Sequence, residues 1–554
     1  MTYYDLGAYS RAITTTSPEA QVWFDRGLNW TFGYNHEEAV ACFQKALEHD
    51  PDCAMAHWGV AYAVGPNYNF PWELFDPEGK AQALAAAHDE ARRACELAGG
   101  TTPAEQALIA ALPARYPERT PIEDQAPWND AFADAMRLAY EQHPNDPEII
   151  TVFAEAILNR TPWKMWDLKT GGVAEGAGTV EARAVLERAM AELPEAMEHP
   201  GILHLYVHLM EMSPFPELAL KAGDKLRRLV PDSGHLIHMP THIDILCGHY
   251  HDVLVGNQDA MAADRKFLER DGYLNLYSAY RIHDYHFAIY GAMFLGQYEP
   301  ALAVAQELIE TTPEDLLRLP SPPMADIIES YISMKQHVMI RFGKWREIIA
   351  EELPRDPELY CVTTAMIHYA KGVAHAALGE VAEAEAEKAR FLAAKARVPE
   401  SRLLHNNTCQ DLLAIAEAML DGEIEYRKEN YDEAFAHLRR SVELDDGLPY
   451  DEPWGWIQPA RHALGALLFE QGRVEEAEAV YREDLGFGGK LSRATIHPDN
   501  VWSLRGLHLC MEARGETETL EAKLVKQRLD LADARADVPV KASCFCAQSA
   551  MAAA

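Results

Sequence analysis

Along most of the chain, apolar residues recur at the three- and four-residue spacing of one helix face, with polar residues filling the opposite face. Glycine or proline separates one such run from the next. Small residues keep returning at matched places in successive runs, with a large apolar residue between them. This is the pattern of paired helices that pack closely on their neighbours, and it predicts an all-helical chain.

Residues 20–53 set the template. Trp23, Gly27, Trp30, Ala39, Phe43, Ala46 and Pro51 fall on positions 4, 8, 11, 20, 24, 27 and 32 of the 34-residue tetratricopeptide unit. Small residues at 8, 20 and 27 let two helices approach, and the proline at 32 opens the next turn because it cannot continue a helix. The register returns at Phe132, Met136, Ala139 and Pro144, and again at Gly296, Ala301, Ala305, Leu308 and Pro313. Leu464, Gly465, Gly472, Ala477 and Tyr481 repeat it near the end, and a weaker unit starts near Pro498. The expected fold is therefore all-α: a TPR-type α-solenoid, a right-handed superhelix of about a dozen helix pairs. The expected segments are tetratricopeptide-like helices over 1–160, an inserted loop or lid over 161–180, and histidine-rich central units over 181–320. Further units follow over 321–535, then a tail over 536–554. The lid carries Trp163, Trp166 and four glycines, which suits an ordered loop. Residues 64–76 break the helical pattern with Pro66 and Pro71, and their aromatics are expected to pack on the array.

The chain's 554 residues exceed what one compact core needs. The net charge of −36 argues against nucleic acid or an anionic membrane as partner and favours cationic ligands. No apolar run reaches membrane-spanning length, and the first residues show no secretory leader. Seven of the nine cysteines stand singly in helical segments, which fits a reducing compartment and a cytoplasmic location. Self-association is left open.

The chemistry concentrates between His199 and His242. His204, His208 and Glu211 stand at i, i+4 and i+7, and His235, His238 and His242 at i, i+3 and i+7, so each trio shares one helix face. In tetratricopeptide arrays positions 2, 5, 9, 12 and 13 face the concave groove. All six residues fall on those positions, as do Glu155, His283, His286, His337 and His462. Nine of the 23 histidines land there, where chance places about three or four. Imidazole is the commonest ligand for zinc, copper and iron, and neighbouring helices bring facing pairs together. His204, His208, Glu211, His235, His238 and His242 are thus candidate ligands for zinc, iron or copper. His208 and Glu211 double as acid–base candidates, and Glu155, His283, His286 and His337 as orienting or substrate-contacting groups. The alternative for the cluster is a polar groove that binds a peptide through imidazole hydrogen bonds. The isolated His36, His57, His368, His375 and His462 read as structural residues, and His199 as the cap of a helix starting at Pro200. Cys544 and Cys546 form a CxC pair able to chelate zinc or copper(I). No HExxH, phosphate-binding loop, dinucleotide-binding glycine pattern or GxSxG is present.

The stretches GLNWTFGYNHEEAVACFQKA, CAMAHWGVAYAVGPNYN, HPGILHLYVHLME, GHLIHMPTHI, RFGKW, YDEPWGWIQPARHALGALL and SCFC together resemble a large, poorly characterised bacterial family of tetratricopeptide repeat proteins. The resemblance covers nearly the whole chain. The family's HPG…H…H..E and GHL.HMP.HI blocks fall on His199, His204, His208, Glu211, His235, His238 and His242. Its His-Asn…His-Phe segment falls on His283 and His286, with Asp284 in place of the usual asparagine. The resemblance implies a shared groove site and brings no known reaction. Three functions stay open: a metal-dependent hydrolase or oxidoreductase acting on a small molecule in the groove, a peptide- or protein-binding scaffold without catalysis, and a metal carrier using the histidines and the CxC tail.

Overall fold

A computed structural model describes residues 3–547 of the protein. It is all-α and built of tetratricopeptide-type helix pairs; among the described residues the strands amount to one two-residue ladder, Leu403–Leu404 against Asn407–Thr408. No helix in this range is long and apolar enough to cross a membrane. The remainder of the tail, residues 548–554, lies outside the described residues. The chain divides into two compact units. The first comprises Met1–Ile243, Asp259–Asp284 and Pro320–Pro322; the second comprises Asp244–Gln258, Tyr285–Leu319 and Pro323–Ala554.

The first unit opens with the template pair, helices Pro18–Phe32 and His36–His49. Ser17 caps the former by accepting from the Ala20 amide, and Pro18 follows where its missing N–H costs nothing. Asn35 caps the latter by accepting from the Glu38 amide. The two helices close on each other where a glycine meets a ring. A Cβ on Gly27 would stand 2.6 Å from Phe43, and a Cβ on Gly59 of the next helix, Ala54–Ala63, would also stand 2.6 Å from it. Phe43 is therefore gripped between two glycines. The second unit repeats the device with Tyr481, held between Gly465 (2.6 Å) and Gly506 (2.2 Å) on helices Ala460–Glu470 and Val501–Ala513. The weak repeat expected near Pro498 is present as Val501–Ala513 paired with Leu520–Asp533.

Two irregular stretches of the first unit matter below. Residues 161–180 fold back through a bridge between Trp166 and Val173; the Trp166 indole donates to the Leu209 carbonyl at 2.6 Å. Residues 64–76 turn at Asn67 and Phe70 and bury Tyr68 and Trp72. A non-helical N-terminal strap ties distant helices together. Asp5 exchanges hydrogen bonds with Asp232, Arg11 pairs with Asp146 and Glu148, and Thr14 donates to Glu105.

A methyl group added at Gly27 or Gly465 has to push an aromatic ring out of a filled core, an overpacking cost of about 1–3 kcal/mol. Gly27→Ala and Gly465→Ala are expected to lower the thermal midpoint, followed by circular dichroism. Phe43→Leu is expected to recover part of the Gly27→Ala loss by making room.

Candidate metal centre

Four helices supply the cluster, whose residues all lie in the first unit. His204 and His208 lie on helix Pro200–Met210, whose N-cap is His199; its Nδ1 accepts from the Ile202 amide at 3.2 Å. Glu211 stands at the C-cap. His235 and His238 lie on helix Gly234–His238, and His242 on helix Pro240–Leu246. The i, i+3, i+7 spacing predicts one continuous helix for these three. Pro240 divides it after Met239 because proline has no N–H to give the preceding turn. His283 and Asp284 come from helix Tyr277–Leu295. All eight of these side chains are buried, none above 7% exposure.

The rings meet. His204 lies 4.7 Å from His208 and 5.0 Å from His235 between centroids; His238 lies 4.7 Å from His242 and 4.8 Å from His283. His235 and His238, 5.8 Å apart, join the two groups. Among the described residues of the first unit, three sets of side chains bring ligand atoms within 4.8 Å of one another: His204, His208 and His235; His238, His242 and His283; and His235, His238 and Asp284. Nitrogens on a tetrahedral zinc lie about 3.3 Å apart, so ring rotations of roughly an ångström convert either all-histidine set into a ligand set.

Hydrogen bonds fix how three of these rings present themselves. His204 Nδ1 is 2.7 Å from the Phe32 carbonyl, which can only accept, so Nδ1 carries the proton and Nε2 the lone pair. Among the described residues that Nε2 has no hydrogen-bond partner, and neither nitrogen of His235 has one. Glu211 does the same for two rings at once: its oxygens accept from His208 Nδ1 at 2.9 Å and His242 Nδ1 at 2.8 Å. His238 and His242 face each other Nε2 to Nε2 at 2.7 Å, a hydrogen bond with His238 as donor if the Glu211 bond sets the His242 tautomer.

Burial removes charge from the cluster. It pushes His204 down to about 3, and it holds His235 and His242 well below the ordinary imidazole value, with neighbouring imidazoles adding to the shift. Neutral imidazole is the form that binds metal. Beside the rings, Asp264 and Asp284 form a buried carboxyl pair. Burial raises Asp264 to about 6, and burial plus Asp264 raises Asp284 well above the carboxylate range. One proton shared between them removes the repulsion.

Three tyrosines complete the site. The Tyr34 ring lies 4.6 Å from His204, 5.9 Å from His208 and 5.6 Å from His235, with its backbone left-handed at φ 54°. Tyr68 lies 4.6 Å from His208, and Tyr280 lies 5.0 Å from His235. Tyr34 and Tyr68 come from the breaks between helices, where no periodicity marks them. The aromatic-rich GYN and NYN stretches were the available signal.

Glu155 sits in the first unit beside Tyr34 and Tyr68, as acceptor from the Tyr62 hydroxyl; burial raises its carboxyl, and the nearby Arg115 opposes that shift. His286 and His337 belong to the second unit, packed edge-on against Tyr331 at 5.2 Å and Trp456 at 4.8 Å. Burial lowers His337 to about 4. Cys544 and Cys546 are also in the second unit, joined as a disulfide. His57, His368, His375 and His462 each hydrogen-bond a carboxylate: Glu90, Glu387, Glu380 and Asp484. His36 instead lines a cavity described below.

No protein-family model matches the chain, and no curated protein does. Among solved structures it is similar to a monomeric mutant of IFIT1 with Gppp-AAAA, at 13% identity over 86% of this chain and 90% of that one, TM-score 0.34. It is also similar to yeast Tom70, at 12% identity over 92% and 99%, TM-score 0.29. A third is a chain of the APC/C hetero-tetramer Cut9-Hcn1, at 12% identity over 96% of each, TM-score 0.24. These likenesses are loose, and the chemistry of the cluster rests on its own residues.

The buried rings set a pH dependence. Below the ordinary imidazole value of 6.5 the unfolded chain binds protons that folded His204 refuses, so stability is complete above about pH 6.5 and is lost as pH falls toward 3. Thermal melts of metal-stripped protein are expected to show the midpoint falling steadily from pH 6.5 to pH 4. The Asp264–Asp284 pair acts oppositely: raised carboxyls stabilise at low pH, and that stability is lost as pH rises through about 6. Asp284→Asn needs no shared proton, and in the same melts it is expected to hold its midpoint better than the parent between pH 6 and pH 8.

Proposed function

We propose that the first unit carries a transition-metal centre, zinc, iron or copper, and acts as a metal-dependent enzyme on a small molecule. His204, His208 and His235 would hold one ion, and His238, His242 and His283 a second. The observation that carries the reading is the fixed tautomer of His204, His208 and His242. Each has its Nδ1 committed to a carbonyl or carboxylate, which leaves Nε2 of His204 and His208 to coordinate; His242 Nε2 would exchange its hydrogen bond from His238 for the ion. On this reading Glu211 orients ligands through both its oxygens. A bound ion supplies Lewis acidity to an oxygen of the substrate, and three imidazoles leave it an open position.

A cavity of about 480 Å³ in the same unit supports a small-molecule substrate. Tyr34 and Tyr280 line it and also touch His235. Asn35, His36, Phe70 and Tyr277 are further walls; its one charged lining residue is Glu37, which favours a neutral or cationic molecule. We further propose membership of the bacterial tetratricopeptide family named above, since its two histidine blocks supply five of the six rings proposed as ligands.

The helix-repeat scaffold also fits a protein-binding role. A carrier that uses Cys544 and Cys546 needs thiolates, and the two sulfurs are bonded to each other. Elemental analysis of tag-free protein purified without chelator separates these readings. At least one equivalent of transition metal per chain is expected, falling below a tenth in a His204→Ala, His238→Ala double variant of native circular dichroism. Glu211→Gln is expected to weaken metal binding roughly 10- to 100-fold by competition with a chelator, the range for loss of an orienting partner. Native protein that holds no metal and takes up none from micromolar zinc would leave the scaffold reading in its place.

A further inference from the structure

We propose that Cys544 and Cys546 form a redox-active pair that exchanges electrons with dithiols. The site lies wholly in the second unit and is independent of the histidine cluster.

The pair closes the smallest loop but one that two cysteines can make, across Phe545 alone. Chain entropy therefore favours the disulfide little. The segment is built into the unit. The Ser543 hydroxyl donates to the His462 carbonyl and hydrogen-bonds the Tyr481 hydroxyl, both at 2.7 Å. Phe545 lies against Gly343 and 6.1 Å from Trp502. The Cys546 amide donates to Cys544 Sγ at 3.2 Å.

Both cysteines line a cavity of about 30 Å³, room for one water, and Arg341, His462 and Glu423 line it too. Arg341 is 2% exposed and donates to the Ser543 carbonyl at 3.0 Å and to His462 Nδ1. Among the described residues no carboxylate lies within ion-pair distance of it, and its Nε has no acceptor. Burial lowers it to about 9. His462 beside it is kept neutral by burial, lowered to about 4. The Asp484 carboxylate beyond accepts from His462, His497, Asn500 and Ser503. Glu423 is paired with Arg427 at 2.5 Å. A buried cation that the Asp484 carboxylate balances only across the His462 ring thus shares a small cavity with two sulfurs that are neutral while bonded. Reduction adds an anion, a thiolate, inside that cavity.

Cys544 is partly exposed and Cys546 is 3% exposed, so Cys544 Sγ is the sulfur an incoming thiolate can reach. Attack there forms a mixed disulfide and breaks the Cys544–Cys546 bond, whose electron pair leaves on Cys546 as the thiolate beside Arg341. The second thiol of the dithiol then loses its proton and attacks its own mixed sulfur. Cys544 departs as a thiolate and takes up that proton. The dithiol is oxidised to a disulfide, and the protein pair is reduced by the same two electrons. Four of the other cysteines are buried and poor nucleophiles: burial raises Cys42, Cys53 and Cys510 to about 12, 11 and 12, and raises Cys409 well above the ordinary thiol value.

Thiol counting tests this on the whole chain. Protein purified without reductant and denatured before labelling is expected to show seven of its nine thiols. Treatment of the folded protein with dithiothreitol, then desalting, is expected to yield nine. Titration in reduced and oxidised dithiothreitol is expected to place Arg341→Met about tenfold toward the disulfide, ~30 mV more negative, with Arg341→Lys near the parent. Three results overturn the proposal: nine thiols in air-exposed parent, seven that rise only when reductant is added to unfolded protein, or an Arg341→Met midpoint equal to the parent's. If Arg341→Met does not fold, the parent's count and titration decide alone.

Discussion

One carboxylate holds the centre of the first unit together. Glu211 caps helix Pro200–Met210 and accepts from His208 of its own helix and His242 of another. A buried imidazole with both nitrogens unsatisfied loses several kcal/mol of hydration. Glu211 meets that cost for two rings, and the Phe32 carbonyl meets it for a third. Each bond also decides which nitrogen stays basic. The same contacts that make the rings tolerable in a core therefore aim their lone pairs inward.

The scaffold's role is spacing. Glycines facing Phe43 and Tyr481 set how near helices can lie, and small residues do similar work beside the cluster. A Cβ on Gly201 would stand 2.7 Å from Phe32, and one on Gly234 would stand 2.0 Å from Asp264. Helix Pro200–Met210 thereby comes close enough to Phe32 for His204 to reach its carbonyl. The pocket beside the cluster takes Tyr34, Gly65, Asn67 and Phe70 from the breaks and the rest of its wall largely from helices. Tyr34 stands in a left-handed turn, a conformation costly for a residue with a side chain and maintained by its packing among the rings.

The second unit treats buried charge differently. Asp484 is surrounded by donors and is held well below the carboxylate range by His462 and His497, although burial alone acts the other way. Arg341 has neutral hydrogen-bond acceptors and feels the Asp484 carboxylate only across His462. The contrast between an acid ringed by donors and a base without a direct ion pair is what gives the neighbouring sulfurs chemical interest.

The sequence by itself determined the all-α repeat class, because helix pairing rests on local periodicity and on small residues at fixed offsets. It also placed His204, His208, His235, His238 and His242 on shared faces, since a helix converts spacing into direction. It could not separate ligands from their orienting partners: Glu211 shares the histidines' face, and only its contact with His242 of another helix shows two hydrogen bonds already made. Nor could it find Tyr34, Tyr68, Asp264 or the Phe32 carbonyl, which lie in turns, on another helix, or on the backbone. It set His286 and His337 in register with the cluster; both belong to the second unit. Register gives the face on which a residue lies; which faces meet depends on contacts between residues far apart in the chain, and those exist only in the folded protein.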